Sequence, residues 1–388
     1  MERIAPADEA GVAAAIVAAA AARAPLAIEG RGTKRAMLRP VQAARTLSTR
    51  ALTGITLYKP TELVISARAG TPLPEIEAAL AEKGQALAPE PPDLSALFGA
   101  TEPATIGGIV ATNLSGPRRI VAGAMRDHLL GVRFVNGAGE VLRNGGRVLK
   151  NVTGLDIAKL LAGSHGTLGV LTEVTLKVLP APEATASLAI AVPDRAAGVR
   201  ALSAGLGSPF GVTGAALLPD GRALLRLEDF VESVAYRLER LAEELAPHGV
   251  VTRIAGDASR ALWQGVRDAA LLGATSQDAI WRVSVRPSKG PGVASALEAA
   301  FGARLLMDWG GGLLWVAGPA TEAAHAALVA ATQAAGGSHT LFRAPDPLRA
   351  AVAVIPPEAA GLAAIAARVK AAMDPAAILN PGRMRAGG

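Results

Sequence analysis

The sequence contains no cysteine, which removes disulfides, thiolate zinc sites, cysteine nucleophiles, cysteinyl-linked cofactors and any iron–sulfur cluster held by this chain alone. Aromatic residues are scarce, at 3% of the chain. No dense Lys/Arg block accompanies them, so neither a nucleic-acid surface nor a nucleic-acid partner is expected. The histidines His128, His165, His248, His325 and His339 never recur at i,i+2 or i,i+4. No local pair can therefore ligate a metal, and no metal site is expected. Long apolar runs are missing too. Val12–Ala22 is far shorter than the roughly 20 residues of a spanning helix. Its leader, Met1–Ala10, sets Glu2, Asp8 and Glu9 against Arg3, the wrong charge for a signal peptide. The segment reads as a buried amphipathic helix with Asp8 as N-cap. The chain reads as cytoplasmic, or peripheral to the inner membrane through partners, with no direct membrane insertion. G-x-G-x-x-G after a strand, G-x-x-x-x-G-K-[ST] and G-x-S-x-G are all absent.

What remains is ample for folding. The 388 residues are 51% hydrophobic and 19% charged, enough for roughly two or three domains with substantial cores. Lys and Arg exceed Asp and Glu by 39 to 33, a formal net charge of +6. The excess is scattered and arginine-heavy, which suits an anionic cofactor or a small acidic substrate.

The order of elements points to α+β subdomains. Strands are expected at Pro25–Ile28, Leu63–Ala69 and Gly169–Leu179, with a hairpin of Val132–Val135 and Glu140–Arg143 around Asn136-Gly137. Helices are expected from Thr71-Pro72 to Lys83 and over Asp156–Ala162. Pro180-Ala181-Pro182 marks a boundary. Beyond it come strands at Leu188–Val192, Ala223–Leu227, Trp281–Val285 and Leu313–Val316, with helices at Ser233–Leu245, Glu322–Ala335 and Ala359–Met373. No regular βαβ repeat appears, so a doubly wound sheet is not expected.

Two glycine clusters follow apolar strands or open turns: Gly30-Arg31-Gly32-Thr33-Lys34, and Thr105-Ile106-Gly107-Gly108 with Asn113-Leu114-Ser115-Gly116. Glycine admits positive φ and close ligand approach, and successive amides in such turns bind anions. Arg31, Lys34, Arg118 and Arg119 would add charge beside a pyrophosphate. Taken singly, either cluster is equally readable as a tight turn.

Four segments, in order, resemble the FAD-binding domain of vanillyl-alcohol-oxidase-type flavoproteins, the PCMH-type domain. They are Ile28–Lys34, Ala104–Gly108, Gly163–Glu173, and Asp374-Pro375 with Ile378–Arg383. Ser115–Arg119, Ile280–Val285 and Asp308–Gly312 are most similar to the FAD-binding subunits of glycolate oxidases. The resemblance covers nearly the whole chain. It implies a PCMH-type FAD-binding domain over 1–180, in subdomains of about 1–55 and 56–180. An α+β cap over 181–345 and a C-terminal segment over 346–388 that returns to the FAD site would follow. It assigns FAD contacts to Gly30, Arg31, Gly32, Thr33 and Lys34; to Thr105, Gly107, Gly108, Thr112, Asn113, Ser115 and Gly116; and to Gly166, Thr167, Gly169, Val170, Thr172 and Asn380. FAD is expected to be non-covalent, because Lys34 stands where covalent relatives carry a linking histidine.

For catalysis the resemblance points to Arg267 in Trp263–Arg267 and to Arg282 as a clamp for a substrate carboxylate, a task that a guanidinium fork fits bidentately. His339 is the remaining candidate base. The histidine-rich metal motif of catalytic relatives is replaced by Asp308-Trp309-Gly310-Gly311-Gly312. The implied partners are a larger flavin-containing catalytic subunit, an iron–sulfur subunit and a small 2-hydroxy acid, glycolate or D-lactate. Two other readings stay open at this point: a stand-alone FAD-dependent 2-hydroxy-acid dehydrogenase, and a flavin-free assembly scaffold.

Overall fold

A computed structural model describes residues 2–146 and 154–387, so Met1 of the leader lies outside the described residues. The helix Glu9–Ala21 forms because Asp8 accepts the Gly11 N–H at its start, and it buries Val12, Ile16 and Ala19 on one face. That face covers a parallel sheet in which Arg45–Ser48 lies between Glu2–Ile4 and Leu26–Glu29. Among the described residues, no helix is long and apolar enough to cross a membrane.

A second sheet is antiparallel throughout, in the spatial order Ile55–Lys59, Val64–Arg68, Val170–Lys177, Leu129–Val135 and Val141–Gly145. Its apolar face packs on the helices Leu73–Ala81, Ile106–Thr112 and Ile157–Leu161 through Ile76, Leu80, Ile109, Val110 and Leu161. The C-terminal half is built on eight antiparallel strands. At the centre of that sheet Gly214–Leu217 meets Arg304–Asp308 through Leu217 and Met307. The helices Arg195–Gly207, Val231–Leu245, Gly290–Phe301 and Glu322–Ala334 pack on one face of it.

The α+β class is as expected. The strands Val250–Ala255, Arg304–Asp308 and Ser338–Arg343 and the helices Arg195–Gly207, Gly256–Arg267 and Gly290–Phe301 were not read from the sequence. Val250–Ala255 is an edge strand, mostly exposed and without clean alternation, so its membership depends on pairing with Ala186–Ala191.

The opposite face of the eight-stranded sheet meets the first half of the chain through buried charge. Arg226 donates to both oxygens of Glu90 at 2.9 and 2.8 Å, and Arg118 donates to both oxygens of Glu228 at 3.1 and 2.8 Å. The backbone N–H of Arg118 also reaches Glu90 at 2.8 Å, and Thr213 Oγ1 donates to Glu228 at 2.8 Å. The Arg226 side chain is 3% exposed and stacks on Trp263, with the guanidinium carbon 4.7 Å from the ring centroid.

Arg226 and Arg118 hold the Glu90 carboxyl below the usual carboxylate range against the opposing effect of burial. Glu90→Ala is expected to destabilise the protein by about 3–5 kcal/mol, because it leaves a buried guanidinium uncompensated. A carboxylate whose folded pKa is depressed contributes stability above its unfolded pKa and loses it as pH falls through the folded value. The Glu90→Ala deficit, measured by urea unfolding, should therefore be full at pH 7 and shrink toward acid pH.

Candidate functional site

Between the two N-terminal sheets lies a cavity of about 530 Å³, within the range of about 300–1,000 Å³ typical of cofactor sites. The loop after the Leu26–Glu29 strand forms one wall. Gly32 has φ +76°, and the backbone amides of Arg31, Gly32, Thr33 and Lys34 have no acceptor among the described residues. The loop's carbonyls are held from behind. Arg383 donates to the carbonyls of Lys34, Arg35 and Arg39 at 2.8, 3.1 and 3.3 Å, and Arg349 donates to that of Leu38 at 2.7 Å. Carbonyls satisfied by arginines beside amides left free make a donor-rich anion cradle.

The second glycine cluster is built differently. Thr105 caps the helix Ile106–Thr112 by accepting the Gly108 N–H at 3.2 Å. The N–H groups of Ile106, Gly107 and Ile109 are taken by the carbonyls of Thr71, Ala69 and Thr105. This turn therefore contributes closeness rather than free donors. A β-carbon at Gly107 would lie 2.6 Å from the Ala69 β-carbon, so that glycine serves the packing of helix on strand. A β-carbon at Gly108 would meet only Thr105 Oγ1 at 3.2 Å and Lys34 Nζ at 4.0 Å, and would project into the cavity.

The tail closes the far side. Asn380, at φ +44°, accepts the Ile28 N–H at 2.8 Å and donates to the His165 carbonyl at 2.8 Å. Leu379 bridges Leu26 in parallel, which extends the first sheet by the tail. Gly166 has φ +72°, and a β-carbon there would lie 2.9 Å from Asn380 Nδ2.

The cavity is electropositive. Arg35 pairs with Glu29 and Arg349 with Asp346, whereas Lys34 has neither an ion pair nor a hydrogen bond from its ammonium among the described residues. Burial lowers the Lys34 pKa to about 8, against a modest opposing pull from Asp93. Burial, with Arg383 and Lys34 nearby, pushes His165 down to about 3, so its imidazole is neutral. Arg31 Nε is buried without a partner. Ile28, Ala69, Val170 and Leu171 supply apolar walls. An anionic cofactor that also carries flat rings, as FAD does, fits this lining: the Arg31–Lys34 amides and the Lys34 ammonium would take a pyrophosphate, and the aliphatic side chains would take the rings.

The cavity brings together Gly30, Arg31, Gly32, Thr33, Lys34, Thr105, Gly107, Gly108, Thr112, Gly166, Gly169, Val170 and Asn380. Five expected contacts lie elsewhere. Asn113 accepts the Arg126 N–H, and Ser115 accepts the Met125 N–H. Gly116 faces Glu90 and Arg267 at the junction of the two halves. Thr167 Oγ1 donates to the Ser164 carbonyl. Thr172 donates to Glu9 at 2.5 Å and lines a separate cleft. Conversely His165, Arg349 and Arg383 line the cavity unforeseen, although His165 and Arg383 lie inside the quoted motifs.

The three catalytic candidates do not converge. Arg267 is paired with Asp268 at 2.8 Å. Arg282 pairs across strands with Trp315, while its neighbours Trp281 and Val283 face the helices, where Trp281 donates to His325 at 3.1 Å. His339 lies opposite Val283 and packs edge-on against His325, 5.7 Å between centroids. Arg282 and His339 thus occupy opposite faces of one sheet. The expectation that His339 serves as base beside these arginines is corrected: it is a core histidine whose pKa burial lowers to about 4. Among the described residues, no group of three or more His, Asp or Glu is placed to hold a metal ion.

The FAD binding domain family matches residues 3–145. The chain is 38% identical over 362 residues to the glycolate oxidase subunit GlcE of Escherichia coli (strain K12), covering 93% of each protein. It is 43% identical over 100 residues to a D-lactate dehydrogenase of Anaerostipes hadrus, covering 26% of this chain and 20% of that protein. Among solved structures, alkyldihydroxyacetonephosphate synthase superposes with a TM-score of 0.72 at 17% identity, over 98% of this chain and 76% of that one. The 4-ethylphenol oxidase of Gulosibacter chungangensis superposes with a TM-score of 0.72 at 14% identity, over 99% and 88%. At such identities these two structures establish the fold alone.

The two glycines separate packing from ligand contact. Gly108→Val should fold with an unchanged far-ultraviolet circular dichroism spectrum and lose its bound ligand, while Gly107→Val should lose stability by about 1–3 kcal/mol through overpacking against Ala69. Ligand content and urea midpoints of the two variants measure the contrast.

Proposed function

The chain belongs to the glycolate oxidase GlcE family of FAD-binding oxidoreductase subunits, and from that premise we propose that it serves the oxidation of glycolate to glyoxylate inside a complex. FAD is its cofactor and another flavin-type subunit, of the GlcD kind, is its partner. In the proposal the FAD is held non-covalently over 1–180, the 181–345 unit is the cap, and 346–388 closes the site. An iron–sulfur subunit receives the electrons, and the assembly is cytoplasmic or peripheral to the inner membrane through partners. The observation that supports this most is the cavity with its unpaired Lys34 ammonium and free Arg31–Lys34 amides.

Bound FAD supplies a two-electron acceptor. The chain's own residues then do three things. Lys34 and the Arg31–Lys34 amides neutralise the anionic linker. Asn380, bonded to the Ile28 N–H and the His165 carbonyl, holds the tail against the cavity, and Gly166 leaves room for it. Neutral His165 offers a hydrogen-bonding imidazole without adding charge.

Oxidising a hydroxy acid also needs a base for the hydroxyl proton. His339 is on the wrong face of the sheet, His165 is pushed down to about 3 and so accepts a proton poorly, Arg267 is engaged with Asp268, and neither arginine can accept a proton. The chain by itself is therefore expected to bind FAD and oxidise glycolate poorly. The measurement is anaerobic bleaching of the flavin absorbance on mixing with glycolate or D-lactate, with and without partner subunits. Slow bleaching of the lone chain that the partners accelerate by orders of magnitude fits the proposal. Rapid bleaching of the lone chain would instead make it a stand-alone 2-hydroxy-acid dehydrogenase.

A further inference from the structure

The helix Ala360–Met373 has no buried side chain among the described residues. Each of the other described helices of nine residues or more buries at least three. Residues 361–368 are exposed on every side, with Leu362 at 56% and Ile365 at 50%. Leu362, Ile365, Val369 and Met373 fall at i, i+3, i+7 and i+11 and form one apolar stripe, half-buried only at its foot. Nothing local compensates. Ala359 makes no side-chain cap, and 14 residues is a length at which an isolated helix is marginal in water.

The foot, by contrast, is fixed to the walls of the FAD cavity. Lys370 donates to the Thr167 carbonyl at 2.7 Å, to Asp374 at 2.7 Å and to the Leu379 carbonyl at 3.1 Å. The Gly137 N–H donates to the Met373 carbonyl at 2.8 Å, and Met373 packs on the core of the five-stranded sheet. Thr167 and Leu379 are each one residue from a cavity wall, Gly166 and Asn380. Whatever covers the free turns therefore sits beside the flavin.

Area and charge narrow the occupant. One side of this helix, about 21 Å long and ~10 Å wide, offers about 200 Å². A stable interface takes about 800 Å² from each partner, so two copies laid stripe to stripe fall far short. A groove that encloses the helix buries several times more, and the small Gly361, Ala363, Ala364 and Ala367 on its other sides let the walls come close. From Ala359 to Val369 the single charge is Arg368, exposed and without an ion pair among the described residues. A complementary groove is apolar with a carboxylate at its rim.

We infer that the free turns of the helix Ala360–Met373 dock in an apolar groove of the partner flavin-type subunit, with a carboxylate of that subunit against Arg368. The chain belongs to a family of oxidase subunits. A subunit that exchanges electrons with this flavin must lie close to it, because electron transfer slows steeply with distance. The identity of the partner rests on the proposed function, whereas the fit of the helix to an enclosing apolar groove does not.

The test measures binding of the FAD-loaded full chain to the purified GlcD-type subunit by surface plasmon resonance. Leu362→Gln with Ile365→Gln should weaken binding about a hundredfold, roughly tenfold for each apolar side chain kept from burial. Arg368→Glu should weaken it about tenfold. Gln supports a helix about as well as these residues do, so circular dichroism, urea midpoint and FAD content of the free variants should match the wild type. Val250→Gln, at a 75% exposed apolar residue on the edge strand Val250–Ala255, should bind like the wild type. Wild-type affinity in the double variant would overturn the inference alone. So would a wild type that sediments as a dimer and a double variant that is monomeric, since the helix would then serve a second copy. A wild type that does not bind the flavin subunit at all would sink the partner named in the proposed function, and this inference with it.

Discussion

Two carboxylates and two guanidiniums, Glu90, Glu228, Arg118 and Arg226, hold the halves of this chain in a single register, and the position of everything else at the junction follows from them. Glu90 and Arg118 come from loops of the FAD-binding half; Arg226 and Glu228 lie two residues apart on one strand and so face the same way. The cluster is neutral as a whole, which is what allows it to be buried. A neutral set of paired charges contributes little net stability but penalises every other docking geometry, because any slip would leave at least one ion unmatched in a desolvated place. Arg343, which donates to the Leu97 carbonyl, and Trp309, which donates to the Gly116 carbonyl at 3.2 Å, lock the same interface from either side.

Against that background the unmatched cations stand out. Most buried arginines here find a carboxylate or carbonyls. Lys34 in the first cavity and Arg282 at the junction find neither among the described residues. Leaving a buried ammonium or guanidinium without an anion costs stability, and folded chains retain such groups where a ligand supplies the missing charge. The charges that join the two halves are thus balanced internally, while the Lys34 ammonium in the first cavity is left without an anion among the described residues.

Much of this was legible in the sequence where local chemistry decides. Gly30–Lys34 could be read as an anion loop because positive φ and a nearby lysine are properties of those residues themselves. The helix at Ile106–Thr112 was hidden in the glycine cluster, yet its Thr105 cap is a local signal. Thr172 shows where local reading ends. Its strand should alternate, with Val170 and Thr172 on one side, but Phe134 pairs with Leu171 and Arg133 with Glu173, so that Thr172 is the extra residue of a bulge and turns to Glu9. His339 is a second case. Whether a strand residue faces a helix layer or a partner domain depends on which strand lies beside it, and Ser338–Arg343 joins the sheet only through Asp278–Ser284.

The central claim is that the first cavity binds FAD as an anion through Lys34, and the pH dependence of FAD affinity tests it most directly. Lys34 in the free site has its pKa lowered to about 8 by burial, and a bound pyrophosphate must raise it. Protonated Lys34 favours the complex, so the FAD dissociation constant should be flat below pH 8 and rise by up to about tenfold per pH unit above it. Lys34→Met should bind FAD more weakly and without that rise. A wild type and a Lys34→Met variant that bind FAD equally well with the same pH profile would contradict the account.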